Sequence, residues 1–125
     1  IWRSLVGSEM CIRDREYADA KTLLSNEIPF AIASDYNPGS SPSGNMNFIL
    51  SLACNKLKLT TEQAINAATI NGAYAMGLSH KTGSITKGKI ANIIISSEIE
   101  SINDLPYFYG DNLVDKILIN GEEII

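Results

Sequence analysis

Apolar positions along residues 16–125 change their period from segment to segment. From Glu16 to Asn26, Tyr17, Ala20, Leu23 and Leu24 fall on one face at helical spacing. Ile28 to Ala33 is then a short, nearly continuous apolar run entered through Pro29. It is too short for a helix of its own and predicts a strand buried on both faces, as in a parallel sheet. Tyr36 to Gly44 is a turn-rich polar loop with two prolines, two glycines and three serines. Asn45 to Lys56 returns to helical spacing, with Met46, Ile49, Leu50 and Ala53 together. Thr60-Thr61-Glu62-Gln63 reads as a capping box, in which the Thr60 hydroxyl caps and Gln63 reaches back. The helix it opens carries Ala64, Ile65, Ala67 and Ala68, and a break near Asn71-Gly72 is expected before a second short helix ending at Gly77.

From Gly83 the texture becomes strand-like. Ile93-Ile94-Ile95 is β-branched, and Val114 to Ile119 and Glu122 to Ile125 flank Asn120-Gly121, a strong signal for a type I′ hairpin. Residues 83–125 are therefore expected to be all-β. The order is helix, buried strand, polar loop, helices and short strands, which reads as the tail of an α/β sheet followed by a β module. A parallel strand at 28–33 needs parallel neighbours, and residues 16–125 offer none. That organisation points to a piece of something larger.

Composition narrows the chemistry. At 125 residues with 45% apolar and 19% charged side chains, the chain is of one-domain size and globular in type. A net charge of −4 argues against nucleic acid or an anionic membrane as partner. No apolar run reaches the ~20 residues of a membrane helix. Two cysteines, Cys11 and Cys54, make no disulfide framework, and the cytoplasm is the expected compartment. There is one histidine, His80. A catalytic zinc or iron site normally takes two or three, so this chain cannot build one alone. At the end of a helix, His80 itself reads as a surface residue.

Residues 1–15 stand apart. All three arginines lie there and all seven lysines lie beyond. The string Ser4 to Arg15 is similar to translated sequencing-adapter sequence, it lacks the long apolar centre of a secretory signal, and it is expected to be extraneous.

The candidate chemistry sits at the end of the 28–33 run. Asp35 falls where a buried strand meets its loop, the place where α/β folds carry active-site residues. A carboxylate there can ligate a metal or act as a base; it can equally cap a turn. Asn37-Pro38-Gly39-Ser40-Ser41 offers an amide, an open backbone at glycine and hydroxyls, a set able to hold a carboxylate or carbonyl, or simply to make a rigid turn. Cys54 on its helix reads as buried packing, and Tyr107-Phe108-Tyr109 as a core element or an interface.

The string Asp35-Tyr36-Asn37-Pro38-Gly39-Ser40-Ser41-Pro42 resembles the loop after the last barrel strand of the imidazolonepropionases, cyclic-amide hydrolases of the amidohydrolase superfamily. Ala67 to Ala73 with Met76-Gly77-Leu78, Gly83-Ser84-Ile85 with Lys87-Gly88-Lys89, and Leu105 to Val114 are similar to later parts of the same family. One departure is Ala91-Asn92, where the superfamily usually has Ala-Asp. The resemblance implies an α/β fold: residues 16–82 as the last strand and helices of a (β/α)8 TIM barrel, and residues 83–125 as the C-terminal part of a small β-sandwich domain. It implies hydrolysis of 4-imidazolone-5-propanoate to N-formimidoyl-L-glutamate, with one Zn2+ or Fe ion. Asp35 matches the family's metal ligand and proton acceptor, and Asn37, Gly39 and Ser40 match its substrate-binding positions. The partner implied is the missing N-terminal part of the polypeptide, which would carry the other ligands; homodimerisation is an expectation of the same kind, and the chain alone is expected to be inactive. Two other readings stand beside it: a cyclic-amide amidohydrolase with another substrate, and a non-catalytic binding or assembly module.

Overall fold

The structure is a computed structural model and describes residues 17–39 and 41–125. Among the described residues, five helices and a three-stranded sheet follow the order α1 (Ala20–Ser25), α2 (Met46–Lys56), α3 (Thr61–Ala68), α4 (Ile70–Ala75), β1 (Ile93–Ser96), α5 (Asp104–Tyr107), β2 (Val114–Ile119) and β3 (Glu122–Glu123). Asp19 caps α1 by accepting from Thr22 N–H, and Asn45 caps α2 by accepting from Asn47 and Phe48 N–H. The capping box of α3 forms as its spacing predicts: Gln63 N–H donates to Thr60 Oγ1 at 3.2 Å, and Thr60 N–H donates to Gln63 Oε1 at 2.9 Å.

The break after α3 comes earlier than expected. It falls at Thr69, whose hydroxyl donates back to Ile65 O at 2.7 Å, while Asn71 and Gly72 lie inside α4. A threonine that bonds the carbonyl four residues back competes with the helix's own ladder and bends it, so the hydroxyl and not the glycine sets the break. Gly77 closes α4 at φ +75, with its N–H on Tyr74 O and Leu78 N–H on Ala73 O, the paired bonds of a Schellman end.

The sheet is antiparallel in the order β1-β2-β3. Asn120 and Gly121 both take positive φ, +54 and +85, which is the type I′ turn that Asn-Gly predicts. Beyond β3, Ile124 N–H donates to Ile117 O and Ile117 N–H to Ile125 O, so two residues oppose one, the pattern of a bulge. Asn92 Oδ1 accepts from Asn120 N–H at 2.9 Å, so the residue that departs from the family pattern ties β1 to the hairpin turn. Residues 83–125 are not all-β, however. Asp104 Oδ2 accepts from Glu100 and Ser101 N–H, and the turn so formed leads into the single helical turn α5.

The 28–33 run is the larger correction. It forms no strand. It is tied instead by single bonds: Ile28 N–H to Leu23 O at 2.9 Å, Ile32 N–H to Ala67 O at 3.2 Å and Asn71 Nδ2 to Phe30 O at 2.8 Å. Phe30 is buried, but Ile28 is 41% exposed. Sheet hydrogen bonds need neighbouring strands, and the described residues supply none beside this segment. Phe30 joins Ala20, Leu50, Ala53, Leu59, Ala64 and Ala67 in the core, and Cys54 packs half-buried against it. A groove of about 300 Å³ runs beside the segment, lined by Leu24, Ile28, Phe30, Ala67 and Ile70 among others.

Candidate active site

The loop that follows Ala33 is shaped by its own side chains. Asp35 takes φ +49, a left-handed conformation that aspartate tolerates better than most residues because its short polar side chain bonds locally. Its carboxylate-bearing residue is exposed. Asn37 Nδ2 donates to Asp35 O at 2.7 Å, and Gly39 N–H donates to Asn37 Oδ1 at 3.0 Å, an Asx turn. Asn37 N–H donates to Ser41 O at 2.9 Å across an isolated antiparallel bridge, and Ser41 Oγ donates to Ser34 O at 2.9 Å. A Cβ at Gly39 would sit 3.3 Å from Asn37 Oδ1, so glycine keeps the turn uncrowded.

Three of the four sequence-predicted site residues therefore share one closed loop: Asp35, Asn37 and Gly39. Ser40 and the segment 1–15, with Cys11, lie outside the described residues. Asn37 acts first as the loop's organiser, with both side-chain polar atoms engaged inside it. His80 is exposed and belongs to a turn after α4, as expected of a surface residue. The aromatic run is less buried than a packing element should be: Tyr107 is 76% exposed, while Phe48 and Tyr109 bring their rings to 5.5 Å.

Two tethers escaped sequence reasoning. Asn71 reaches the carbonyl of Phe30, 41 residues away, and holds the segment that leads to Asp35. Asn45 Nδ2 reaches Tyr109 O at 3.1 Å, 64 residues away. An asparagine just before a helical pattern announces a cap, but nothing local announces a second, distant partner.

Asp35 can supply a metal with one hard oxygen ligand. A catalytic site needs about three protein ligands, and no group of three or more His, Cys, Asp or Glu able to hold a metal occurs among the described residues. The loop presents one exposed carboxylate and several backbone dipoles on a short turn closed by its own hydrogen bonds.

The fold carries this loop in a recognisable class. The structure superposes on E. coli guanine deaminase with a TM-score of 0.67 at 18% identity, covering 85% of this chain and 29% of that one. It matches an amidohydrolase from Thermotoga maritima MSB8 with a TM-score of 0.65 at 23% identity, covering 84% of this chain and 25% of that one. The class is thereby a mixed α/β portion of a larger fold, with a small antiparallel sheet attached. The family model of the Amidohydrolase family matches residues 5–124, and the chain belongs to that family.

Relatives narrow the likeness further. The chain is 59% identical over 108 residues to an imidazolonepropionase from Christiangramia forsetii, covering 86% of this chain and 26% of that protein. It is 56% identical over 108 residues to one from Flavobacterium johnsoniae, with the same coverage, and 38% identical over 121 residues to one from Alkaliphilus metalliredigens, covering 97% and 28%. It spans about a quarter of the length of these relatives.

Proposed function

We propose that the chain is the C-terminal part of an imidazolonepropionase, and that the whole enzyme opens the ring amide of 4-imidazolone-5-propanoate to give N-formimidoyl-L-glutamate in histidine degradation. The observation that carries this reading is the 59% identity over 108 residues of a 125-residue chain, a span that must include Asp35, Asn37, Gly39 and Ser40. In that enzyme residues 16–82 complete a TIM barrel, and residues 83–125 complete the small β domain. The rest of the polypeptide supplies the remaining metal ligands, and the cytoplasm is its compartment.

Each residue has a physical task. When bound, a Zn2+ or Fe ion supplies Lewis acidity, polarising the ring carbonyl and acidifying water. Asp35 contributes one ligand oxygen, and its carboxylate accepts the proton of the attacking water and later delivers it to the leaving ring nitrogen. Asp35 is exposed at the head of the turn, within reach of a ligand from solvent. Gly39 lets the ligand approach the backbone closely, and Asn37 and Ser40 offer polar atoms to the propionate or the ring. Asn37 gives up or shares its contacts with Asp35 O and Gly39 N–H as the ligand arrives.

The test is turnover by the intact enzyme that carries this sequence, followed by loss of ring absorbance, with imidazolonepropionate and hydantoin-type rings compared. Asp35→Asn is expected to lower kcat by about 10³-fold, within the range general acid–base groups supply, and removal of the metal by a chelator should abolish turnover until metal is returned. Turnover of hydantoin-type rings with none of imidazolonepropionate would overturn the reading.

A further inference from the structure

Asn45 stands at the exit of the site loop and is held through its backbone N–H and both polar atoms of its side chain. Its N–H donates to Ser43 Oγ at 3.2 Å, and its Oδ1 accepts from Asn47 and Phe48 N–H at 3.0 and 3.2 Å, capping α2. Its Nδ2 donates to the backbone oxygen of Tyr109 at 3.1 Å. The Tyr109 ring lies 5.5 Å from the ring of Phe48, the third residue of α2, so the contact is doubled by packing. At the other end of the same stretch, Thr61 Oγ1 donates to Asn103 Oδ1 at 2.6 Å, where Thr61 opens α3 and is buried. Residues 103–109 thus bridge the starts of α2 and α3. The loop between Ser34 and Ser41 is closed on itself, and the chain leaves it through Ser43 and Asn45.

We infer that Asn45 is a positioning residue for the Asp35–Ser41 loop, acting through its tether to Tyr109, and that residues 103–109 thereby set where the site loop sits. The inference rests on the functional reading above for its kinetic consequence, but not for its structural one. The cap and the tether use different atoms of one side chain. Aspartate and serine both keep the capping acceptor and both lack an amide donor at the reach of Tyr109 O.

The experiment compares Asn45→Asp, Asn45→Ser and Asn45→Ala in the intact enzyme. The first two should lose less Tm than Asn45→Ala, since the cap survives, yet lower kcat/KM by about tenfold, because a misplacement of about 1 Å can cost ~10²-fold. Amide hydrogen exchange at Asn37 and Gly39 should quicken in both, with α2 and α3 unchanged. The agreement of a charged and a neutral variant separates loss of the tether from a charge effect. Asn45→Ala should lower Tm as well. Wild-type kcat/KM and wild-type loop exchange in Asn45→Asp and Asn45→Ser would reduce Asn45 to a cap and overturn the inference. Should the wild-type enzyme leave imidazolonepropionate untouched, the functional reading falls, and the exchange rates alone then sustain or sink the tether.

Discussion

Gly83 has no room for a side chain. It takes φ +89, and a Cβ there would meet Ala73 Cβ at 2.5 Å and the backbone of Thr69 and Ile70 at 3.1 Å. It is the point where the strand-rich part passes over α4. Gly121, in the hairpin turn, takes a similar φ of +85 but has nothing within 4 Å of that position. The pair separates backbone strain from collision. In the intact enzyme, Gly121→Ala should cost about 1–2 kcal/mol from the left-handed conformation alone. Gly83→Ala adds overpacking and should cost about 2–5 kcal/mol, read by denaturant unfolding.

Single carboxylates also leave a pH signature. The Thr22 hydroxyl and N–H hold Asp19 below its ordinary 3.8, and the backbone N–H of Glu62 with the Thr60 hydroxyl holds Glu62 below its ordinary 4.5. A depressed carboxylate stabilises the fold above its unfolded pKa, and that contribution is lost as pH falls through the folded value. Melting Asp19→Asn and Glu62→Gln against the parent from pH 7 to 3 should show Tm gaps that close as the pH drops. A constant gap would assign both effects to packing. Lys116, raised from 10.5 by Glu123 at 3.0 Å, works in the other direction: its contribution is lost as the pH rises through the raised value.

Elements divide by whether their signals are local. The capping box at Thr60, the asparagine before α2 and the Asn-Gly turn are each contained in a few residues, and the structure forms all three. The run at 28–33 carries an equally clear apolar signal but forms no strand, because a strand's partners are elsewhere by definition. The break at Thr69 and the helical turn α5 depart from the sequence expectation for a smaller reason: a hydroxyl bonding Ile65 O and a carboxylate bonding two N–H groups outweigh glycine and β-branching. Asn92 gives an element-level test. Asn92→Ala should cost about 1 kcal/mol by removing the acceptor of Asn120 N–H, whereas Asn92→Asp should hold wild-type stability in thermal melts, since its carboxylate accepts the same bond.

On the scale of the whole molecule, the buried residues are small. Five of the eight buried apolar residues described are alanines, joined by Phe30, Leu50 and Leu59. The larger side chains face out: Ile85 is 85% exposed, Ile94 68% and Ile125 69%. Burial of apolar area is the main favourable term in folding, so a core of alanines contributes little, and the exposed isoleucines hold most of what a neighbouring surface could recover. The isolated 125 residues are therefore expected to bind a hydrophobic dye such as ANS, to melt without a sharp transition and to hydrolyse no imidazolonepropionate. A cooperative melt without dye binding would instead describe a self-sufficient module.

The sequence by itself determined the Thr60 capping box, the Asn-Gly hairpin and the polar character of the loop after Asp35, since each depends on groups within a few residues of one another. It set Asp35 directly before a turn-rich loop holding Asn37 and Gly39, and the Asx geometry that the structure shows there is local for the same reason. Only the tertiary structure decided which distant groups hold that turn in place. The tethers Asn45–Tyr109 and Asn71–Phe30 close over 64 and 41 residues. A hydrogen bond of that span leaves no periodicity in the chain, because the donor and acceptor meet only after the intervening helices have packed.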